Sequence, residues 1–305
     1  MRERAGPARE ARADMAVMDF AYHRPANLAE ACALGERLGA DAAFLAGGTE
    51  LLPDYQRQRE TARHLIALDG LEELRGIGVE DGSLVIGGLA TIAQVAASPL
   101  VSACFPALAE AARSIGSPQI RSRATIGGNF CRAVPCADTP PAAVAAGALV
   151  RLVGPGGKRA MDAERFFTGP RRTALHPGEV LAAIVIPRQP AGSGGSYQRF
   201  ARRQGSALAV AAVAARITMN GGRIVDARLA LGAVAPVPML ATRAAAALVG
   251  EPPSAHLFAL AGALCADEAL PITDLRGTAD FRRELVSVLA NRALAQATER
   301  AGGAP

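Results

Sequence analysis

The first apolar residues at helical spacing lie in the segment NLAEACALGERLG, which begins at Asn27. Asn27 suits the N-cap of a helix and Gly39 ends the pattern. The segment AAFLAGG follows as a short buried strand that ends in a glycine pair, and HLIALDG is a second short strand. Residues 18–72 are therefore predicted to form a small α/β unit. The apolar positions of its helix are Leu28, Ala31, Cys32 and Leu38.

The next stretch changes to shorter β-prone runs mixed with helices. Asp81-Gly82 between two such runs predicts a hairpin, because glycine supplies the positive φ of a tight turn. Helices are predicted from about Thr91 and over CFPALAEAARSI, a second glycine loop opens at Thr125, and strands close the unit near Pro187. Residues 73–187 thus form a mixed α+β subdomain.

A segment rich in proline, glycine and serine, residues 188–196, predicts a linker to a further domain over residues 197–301. There, two apolar runs flank Asn220-Gly221-Gly222, which predicts another hairpin, and helices follow. The last helix is predicted from Thr278 to about Glu299, with one apolar face. The prediction is a three-stranded antiparallel sheet packed on helices. The apolar face is formed by Phe281, Leu285, Val288 and Leu289.

Composition excludes several classes of protein. In 305 residues, 50% are hydrophobic and the net charge of +5 comes from dispersed arginines, so a nucleic-acid groove is not expected. No apolar run approaches the ~20 residues of a membrane helix. Five cysteines scattered along the chain are not a secreted disulfide framework, which favours the cytoplasm. Residues 1–17 lack an apolar signal core and are predicted to be a disordered tail, with Met18 as the functional start.

Two similar glycine segments carry the candidate chemistry. FLAGGTELLP spans Phe44 to Pro53, and TIGGN spans Thr125 to Asn129. Paired glycines let a backbone approach a ligand closely and direct N–H groups at an anion such as a pyrophosphate. Neither segment has the spacing of a Rossmann or P-loop motif, and a single glycine pair is more often a plain turn.

The chain resembles the FAD-binding medium subunits of the molybdenum hydroxylases, which include carbon monoxide dehydrogenase and xanthine dehydrogenase. The resemblance extends from Met18 to about Ala301. Its residues lie in FLAGGTELLP, LVIGGLATIAQVA, RSRATIGGNFCRAVPCADTPPAAVAAGA, YQRFARRQGSALAVAAVAARI and DLRGTADFRRELVSVLANRAL. It implies an α+β fold with two FAD-binding subdomains like that of vanillyl-alcohol oxidase, followed by the family's C-terminal domain.

The resemblance also implies roles for individual residues. The first glycine segment would wrap the FAD pyrophosphate, and N–H groups and side chains of the second would bind phosphate and ribitol. Asp138 would bind the ribose or adenine end, although a turn or helix-cap role stays open. Tyr197 would lie near the isoalloxazine ring, or be an ordinary strand tyrosine, and Gln198 stands where some relatives carry a lysine. The remaining implied residues are Ala46, Gly47, Gly48, Thr49 and Glu50 in the first segment, Thr125, Ile126, Gly127, Gly128 and Asn129 in the second, and Ile115 and Leu181 packed on the cofactor or in the core.

No catalytic acid, nucleophile or metal-ligand set is recognisable. Cys131 and Cys136 have neither a C-x-x-C partner nor a nearby histidine, so buried free thiols are favoured over a zinc or iron–sulfur site. The pairs Arg171-Arg172 and Arg202-Arg203 are expected to be solvated or to contact partners. A flavin subunit needs no such groups, because the flavin supplies the chemistry.

The resemblance implies a hetero-oligomer. A large molybdenum-cofactor subunit would hydroxylate the substrate, a small 2Fe–2S subunit would carry the electrons to FAD, and a dimer of heterotrimers is expected. The substrate would be selected by the large subunit. Two alternatives remain open at this point: a stand-alone flavin-dependent oxidase, and a non-enzymatic assembly subunit with a decayed pocket.

Overall fold

A computed structural model describes residues 20–302, so the predicted N-terminal tail lies outside the described residues. The first unit has a parallel sheet in the order β1-β3-β2, with α1 against it. Asn27 caps α1 by accepting from the Glu30 N–H at 2.9 Å. The predicted order of helix, strand and glycine loop is confirmed. Its elements are β1 (Ala21–His23), α1 (Leu28–Leu38), β2 (Ala42–Leu45), α2 (Leu51–Gln56) and β3 (His64–Ala67).

The second unit is built on an antiparallel sheet in the order β4-β5-β10-β6-β7, with a small two-stranded sheet, β8-β9. The hairpin predicted at Asp81-Gly82 joins its first two strands. One face of the large sheet packs on the helices, where Ile86, Val150 and Ile184 are fully buried. Its elements are β4 (Ile77–Glu80), β5 (Ser83–Gly87), α3 (Ile92–Ala97), α4 (Pro99–Cys104), α5 (Pro106–Ser114), α6 (Pro118–Arg123), α7 (Ile126–Arg132), α8 (Thr139–Ala145), β6 (Leu149–Gly154), β7 (Gly157–Asp162), α9 (Ala163–Phe166), β8 (Phe167–Gly169), β9 (Arg172–Thr173) and β10 (Val180–Ile186).

The C-terminal unit contains the hairpin predicted at Asn220–Gly222, but its sheet has four strands, in the order β11-β12-β13-β14, rather than three. The additional strand has two residues and pairs Met239 with Leu231, so it is too short to produce an alternating pattern in the sequence. The elements are β11 (Ser193–Ala201), β12 (Ala209–Asn220), β13 (Arg223–Gly232), β14 (Met239–Leu240), α10 (Thr242–Leu248), α11 (Ala255–Glu268) and α12 (Ala279–Arg300).

The segment predicted as a linker, residues 188–196, is partly structured, because β11 already begins at Ser193. Its glycines serve close packing. A Cβ on Gly194 would overlap the Ala297 carbonyl, and a Cβ on Gly195 would overlap the Phe105 ring. A composition typical of flexible chain therefore marks a strand that is pressed between α12 and the second unit.

Helix α12 forms where the sequence predicts it, and the predicted apolar face is packed in part: Leu289 is buried and Leu285 packs against the core. Phe281 and Val288 are exposed, whereas the buried face is rich in alanine, including Ala290, Ala293 and Ala297. Small side chains allow the helix to approach β11 and β12 closely, so alanines form much of the packed face and the large apolar residues identified only part of it.

Glu179, in the turn before β10, connects that turn to the edge strand β7. Its carboxylate accepts two hydrogen bonds of 2.7 Å from Arg159 and one from the His176 N–H. The Arg159 hydrogen bonds lower the pKa of Glu179 below its usual value, so this carboxylate stabilises the fold above the unfolded pKa of about 4.3.

We expect Glu179→Gln to lower the free energy of unfolding by about 2 kcal/mol at pH 7. The difference should vanish as the pH falls through the lowered folded-state pKa, below about 4, since the wild-type carboxyl is then protonated. Urea unfolding of both proteins between pH 3 and 7 measures this. A difference that stays constant over the whole range would show that ionisation is irrelevant.

Candidate functional site

The first glycine segment forms the turn between β2 and α2. Gly48 has φ +72°, a conformation that side chains with a Cβ rarely adopt. Within residues 20–302, no hydrogen-bond acceptor is found for the main-chain N–H groups of Gly47, Gly48 and Thr49. Consecutive N–H groups without protein acceptors form a cradle suited to an anion such as a pyrophosphate.

The two glycine segments lie in direct contact. A Cβ placed on Gly47 would overlap the carbonyl of Arg123 and come within 3.1 Å of the Ala124 Cα. The chain then passes through Thr125 into α7. The tertiary structure thus brings the first segment against the residues that immediately precede the second.

The second glycine pair differs from the predicted loop, because Gly127 and Gly128 lie in the first turn of α7. Thr125 is its N-cap, and the Thr125 Oγ1 accepts from the Gly128 N–H at 3.1 Å. The Gly127 N–H donates to the Gly88 carbonyl at 2.9 Å, and the N–H groups of Ile126 and Asn129 also have protein acceptors. These main-chain groups are therefore already satisfied, contrary to the expectation that they bind phosphate.

Gly127 serves close packing instead. A Cβ there would approach the Gly88 carbonyl oxygen to 2.6 Å, and a Cβ on Gly88 would in turn overlap the Leu181 carbonyl. Leu181 itself is buried in the core. The backbone of the second segment is therefore packed directly on the backbone at Gly88, beside the first segment. The Asn129 side-chain NH₂ has no acceptor among residues 20–302.

Arg132, at the end of α7, joins the two segments through their side chains. Its Nε donates to Glu50 at 2.8 Å, and its Nη2 contacts the buried carboxylate of Asp54. Arg171 lies 3.7 Å from the same carboxylate. Sequence reasoning missed Arg132 and Asp54. No signal in the sequence could have found this pair, because only the structure shows that Asp54 is buried and therefore requires a cation nearby.

A second group of predicted residues meets at the junction with the C-terminal unit. The Tyr197 hydroxyl donates to Asp138 at 2.6 Å, and Arg199 donates to both oxygens of that carboxylate at 3.1 Å. Burial, reinforced by the neighbouring Asp138, raises the pKa of Tyr197 well above 10. Asp138 occupies the N-cap position of α8 but makes no side-chain capping hydrogen bond, and its carboxylate is held in this buried network instead.

The two groups are connected through α8. Asn129 accepts a hydrogen bond of 2.6 Å from the Thr139 hydroxyl, and Thr139 follows Asp138 in the chain. Ile115 is half-buried against the core cluster of the second unit. The Gln198 amide donates to Gln296 at 3.0 Å, so this side chain is engaged within the C-terminal unit.

The cysteines and histidines assemble no metal centre in the described part of the chain. Cys131 and Cys136 are free thiols, and burial raises the pKa of Cys131 to about 12. Among the helices of residues 20–302, none combines the length and apolarity that a membrane crossing requires.

Family models match both parts of the chain. Residues 18–189 match the FAD binding domain in molybdopterin dehydrogenase, and residues 196–297 match the CO dehydrogenase flavoprotein C-terminal domain. Together they define an FAD-binding oxidoreductase subunit. The chain belongs to the family of FAD-binding medium subunits of molybdenum hydroxylases.

Individual relatives are similar over nearly their whole length. The carbon monoxide dehydrogenase medium chain of Afipia carboxidovorans is 38% identical over 286 residues, covering 92% of this chain and 98% of the relative. The putative xanthine dehydrogenase FAD-binding subunit of Escherichia coli K12 is 33% identical, covering 94% and 99%.

The fold is also similar to those of solved structures. The carbon monoxide dehydrogenase from Hydrogenophaga pseudoflava that lacks the Mo-pyranopterin moiety gives a TM-score of 0.89 at 37% identity, covering 92% of this chain and 98% of that one. Quinoline 2-oxidoreductase from Pseudomonas putida 86 gives 0.87 at 32% identity, with the same coverage.

Proposed function

We propose that this chain is an electron-transfer subunit: it takes electrons from the 2Fe–2S clusters of a small partner subunit and passes them through FAD to a terminal acceptor. The observation that carries the proposal is the N–H cradle of Gly47, Gly48 and Thr49 set against the second glycine segment. When bound, FAD supplies the redox chemistry, since it can receive electrons singly and deliver them singly or in pairs.

The residues of the first segment, from Ala46 to Glu50, would hold the pyrophosphate through main-chain N–H groups. Arg132 fixes the position of Glu50 and thereby the end of the cradle. From the second segment, the Asn129 side-chain NH₂, which has no acceptor within residues 20–302, would donate to the cofactor, while Gly127 lets α7 pack closely on the Gly88 backbone. Cofactor binding would thus depend on the free N–H groups of the first segment and on the second segment, which is packed against it.

The second group would also contact the cofactor, Tyr197 near the flavin ring and Asp138 toward the ribose or adenine end. Their groups are already paired with each other and with Arg199, so they position the pocket wall and hold the Tyr197 hydroxyl protonated. No substrate acid or base needs to be assigned to this chain, because hydroxylation would occur in the large subunit.

The assembly we propose contains a large molybdenum-cofactor subunit and a small 2Fe–2S subunit, as a cytoplasmic dimer of heterotrimers. The fold would be of the vanillyl-alcohol oxidase type, with FAD-binding subdomains over residues 18–72 and 73–187 and a C-terminal domain over 197–301, joined by residues 188–196, the last four of which begin β11. The similarity to medium chains over more than 90% of this chain supports this organisation.

Co-expression with the neighbouring subunit genes tests the proposal. We expect recovery of a complex with one large and one small subunit, whose flavin is bleached by the substrate of the large subunit. The lone chain should reduce dyes at most. A lone chain that oxidises an organic substrate at about 1 to 10³ per second would instead identify a stand-alone oxidase, and a chain purified without flavin would favour an assembly subunit.

The flavin should be bound noncovalently at about one FAD per chain, because no histidine or cysteine of the sequence matches a known flavin attachment motif. Acid precipitation should release it into the supernatant, where its absorbance can be measured. Flavin that remains with the pellet would show a covalent link.

A further inference from the structure

The hairpin between β8 and β9 has an arginine where glycine is the residue that fits best. Its two turn residues are Pro170 and Arg171, since Gly169 pairs with Arg172 in the register of the two strands. Arg171 has φ +57°. In a turn that begins with proline, the next residue is usually glycine when its φ is positive, because a Cβ strains the left-handed region. The chain thus keeps an unfavourable residue at this position.

Backbone strain of this kind is concentrated at functional sites, where surrounding contacts hold it in place. The Arg171 N–H donates to the Ala133 carbonyl at 2.8 Å. Ala133 follows α7, the helix that begins in the second glycine segment, and is itself left-handed with φ +47°. The turn that carries Arg171 is therefore fixed to the end of that helix.

The Arg171 side chain extends to the helix that follows the first glycine segment. Its Nη1 lies 3.7 Å from the Asp54 carboxylate in α2, which is too long for a hydrogen bond. Within residues 20–302, the Arg171 guanidinium donates no hydrogen bond, and the side chain is 53% exposed. Its N–H donors are therefore available to a ligand.

The charges at this end of the cradle balance only when Arg171 is counted. The carboxylates of Glu50 and Asp54 lie one helical turn apart, and Arg132 contacts both of them. Arg132 supplies one positive charge against two negative charges. Without Arg171, this group would carry an excess negative charge beside N–H groups that are arranged for an anion, and that charge would repel the anion.

We propose that Arg171 is a cofactor-binding residue, whose guanidinium pairs with the pyrophosphate of FAD at the cradle of Gly47, Gly48 and Thr49. The inference rests on the proposed function. A guanidinium donates charge-assisted hydrogen bonds to phosphate oxygens, and a glycine in the same turn would supply none. Binding of the pyrophosphate is thus a physical reason for keeping an arginine at a strained position.

Arg171→Gly tests this assignment, because a binding role and a structural role predict different effects on stability. Glycine adopts a φ of +57° without strain and Asp54 keeps Arg132 as its partner, so the thermal midpoint of the flavin-free chain should not fall. FAD should bind at least about tenfold more weakly, because a charged contact to phosphate is lost. Titration of the flavin-free full chain with FAD, followed by quenching of flavin fluorescence, measures the affinity.

Arg172→Ala is the matched control, because it removes the same charge from an exposed position in the same hairpin. It should leave the affinity for FAD at the wild-type value. Arg171→Lys keeps the positive charge and should recover part of the affinity that Arg171→Gly loses. The wild-type affinity should fall as salt rises, and Arg171→Gly should show a weaker dependence on salt.

The outcomes separate this inference from the proposed function. If Arg171→Gly binds FAD as tightly as the wild type while Gly48→Val loses it, Arg171 is not a cofactor ligand and the proposed function stands. Equal weakening by Arg171→Gly and Arg172→Ala would also overturn the assignment, as would a thermal midpoint that falls together with the affinity. If Gly48→Val retains FAD as well, the cradle is wrong and the assignment of Arg171 fails with it.

Discussion

Gly48→Val is expected to abolish FAD retention while leaving the chain folded. The residue has φ +72° and presents its N–H in the cradle, so a β-branched side chain both strains this conformation and occupies the space beside the N–H groups. Within the protein, a Cβ at this position meets only flexible side-chain ends, with Leu52 at 3.0 Å. We expect less than about a tenth of the wild-type flavin content, measured by absorbance after purification.

Gly222→Val is the matched control. Gly222 has φ +75° in the β12–β13 hairpin, and a Cβ there would meet no atom within 4 Å. Both variants should lose about 1–3 kcal/mol of stability through backbone strain, but the control should retain its flavin. Normal flavin content in Gly48→Val would contradict the cradle, and loss of flavin from both variants would indicate a general effect of stability.

Arg132→Ala is expected to destabilise the chain by about 2–4 kcal/mol and to weaken FAD binding about tenfold or more. The substitution leaves the Asp54 carboxylate, whose side chain is 8% exposed, with Arg171 at 3.7 Å as its nearest remaining cation. It also releases Glu50 at the end of the cradle. Urea unfolding and flavin titration measure the two effects.

Arg151→Ala provides the comparison, since Arg151 pairs with Glu80 on the surface and both side chains are more than 40% exposed. It should cost under about 1 kcal/mol. Adding Asp54→Asn to Arg132→Ala should recover part of the lost stability by removing the unpaired charge. If Arg132→Ala is as stable as the wild type, the side-chain link between the two glycine segments is not energetically significant.

The local sequence pattern was sufficient to predict several helices and hairpins of the fold. Asn27 and Gly39 limit the first helix, and Asp81-Gly82 and Asn220–Gly222 produce hairpins because turn residues act over a few positions. The glycine segments and the resemblance around them led to the FAD-binding medium subunit, a family that the whole chain matches. These signals lie in contiguous residues, so they are readable without the tertiary structure.

Contacts between distant segments were decided by the tertiary structure alone. It placed Gly127 in a helix on the Gly88 backbone, paired Arg132 with Asp54, and joined Tyr197 to Asp138. Each contact depends on residues 39 to 78 positions apart, and the sequence does not record which of several arginines will meet a buried carboxylate. The sequence by itself determined the family, the local elements and the two glycine segments. Packing decided which N–H groups remain free for a ligand, because a glycine's amide can be satisfied by any carbonyl that the fold brings to it.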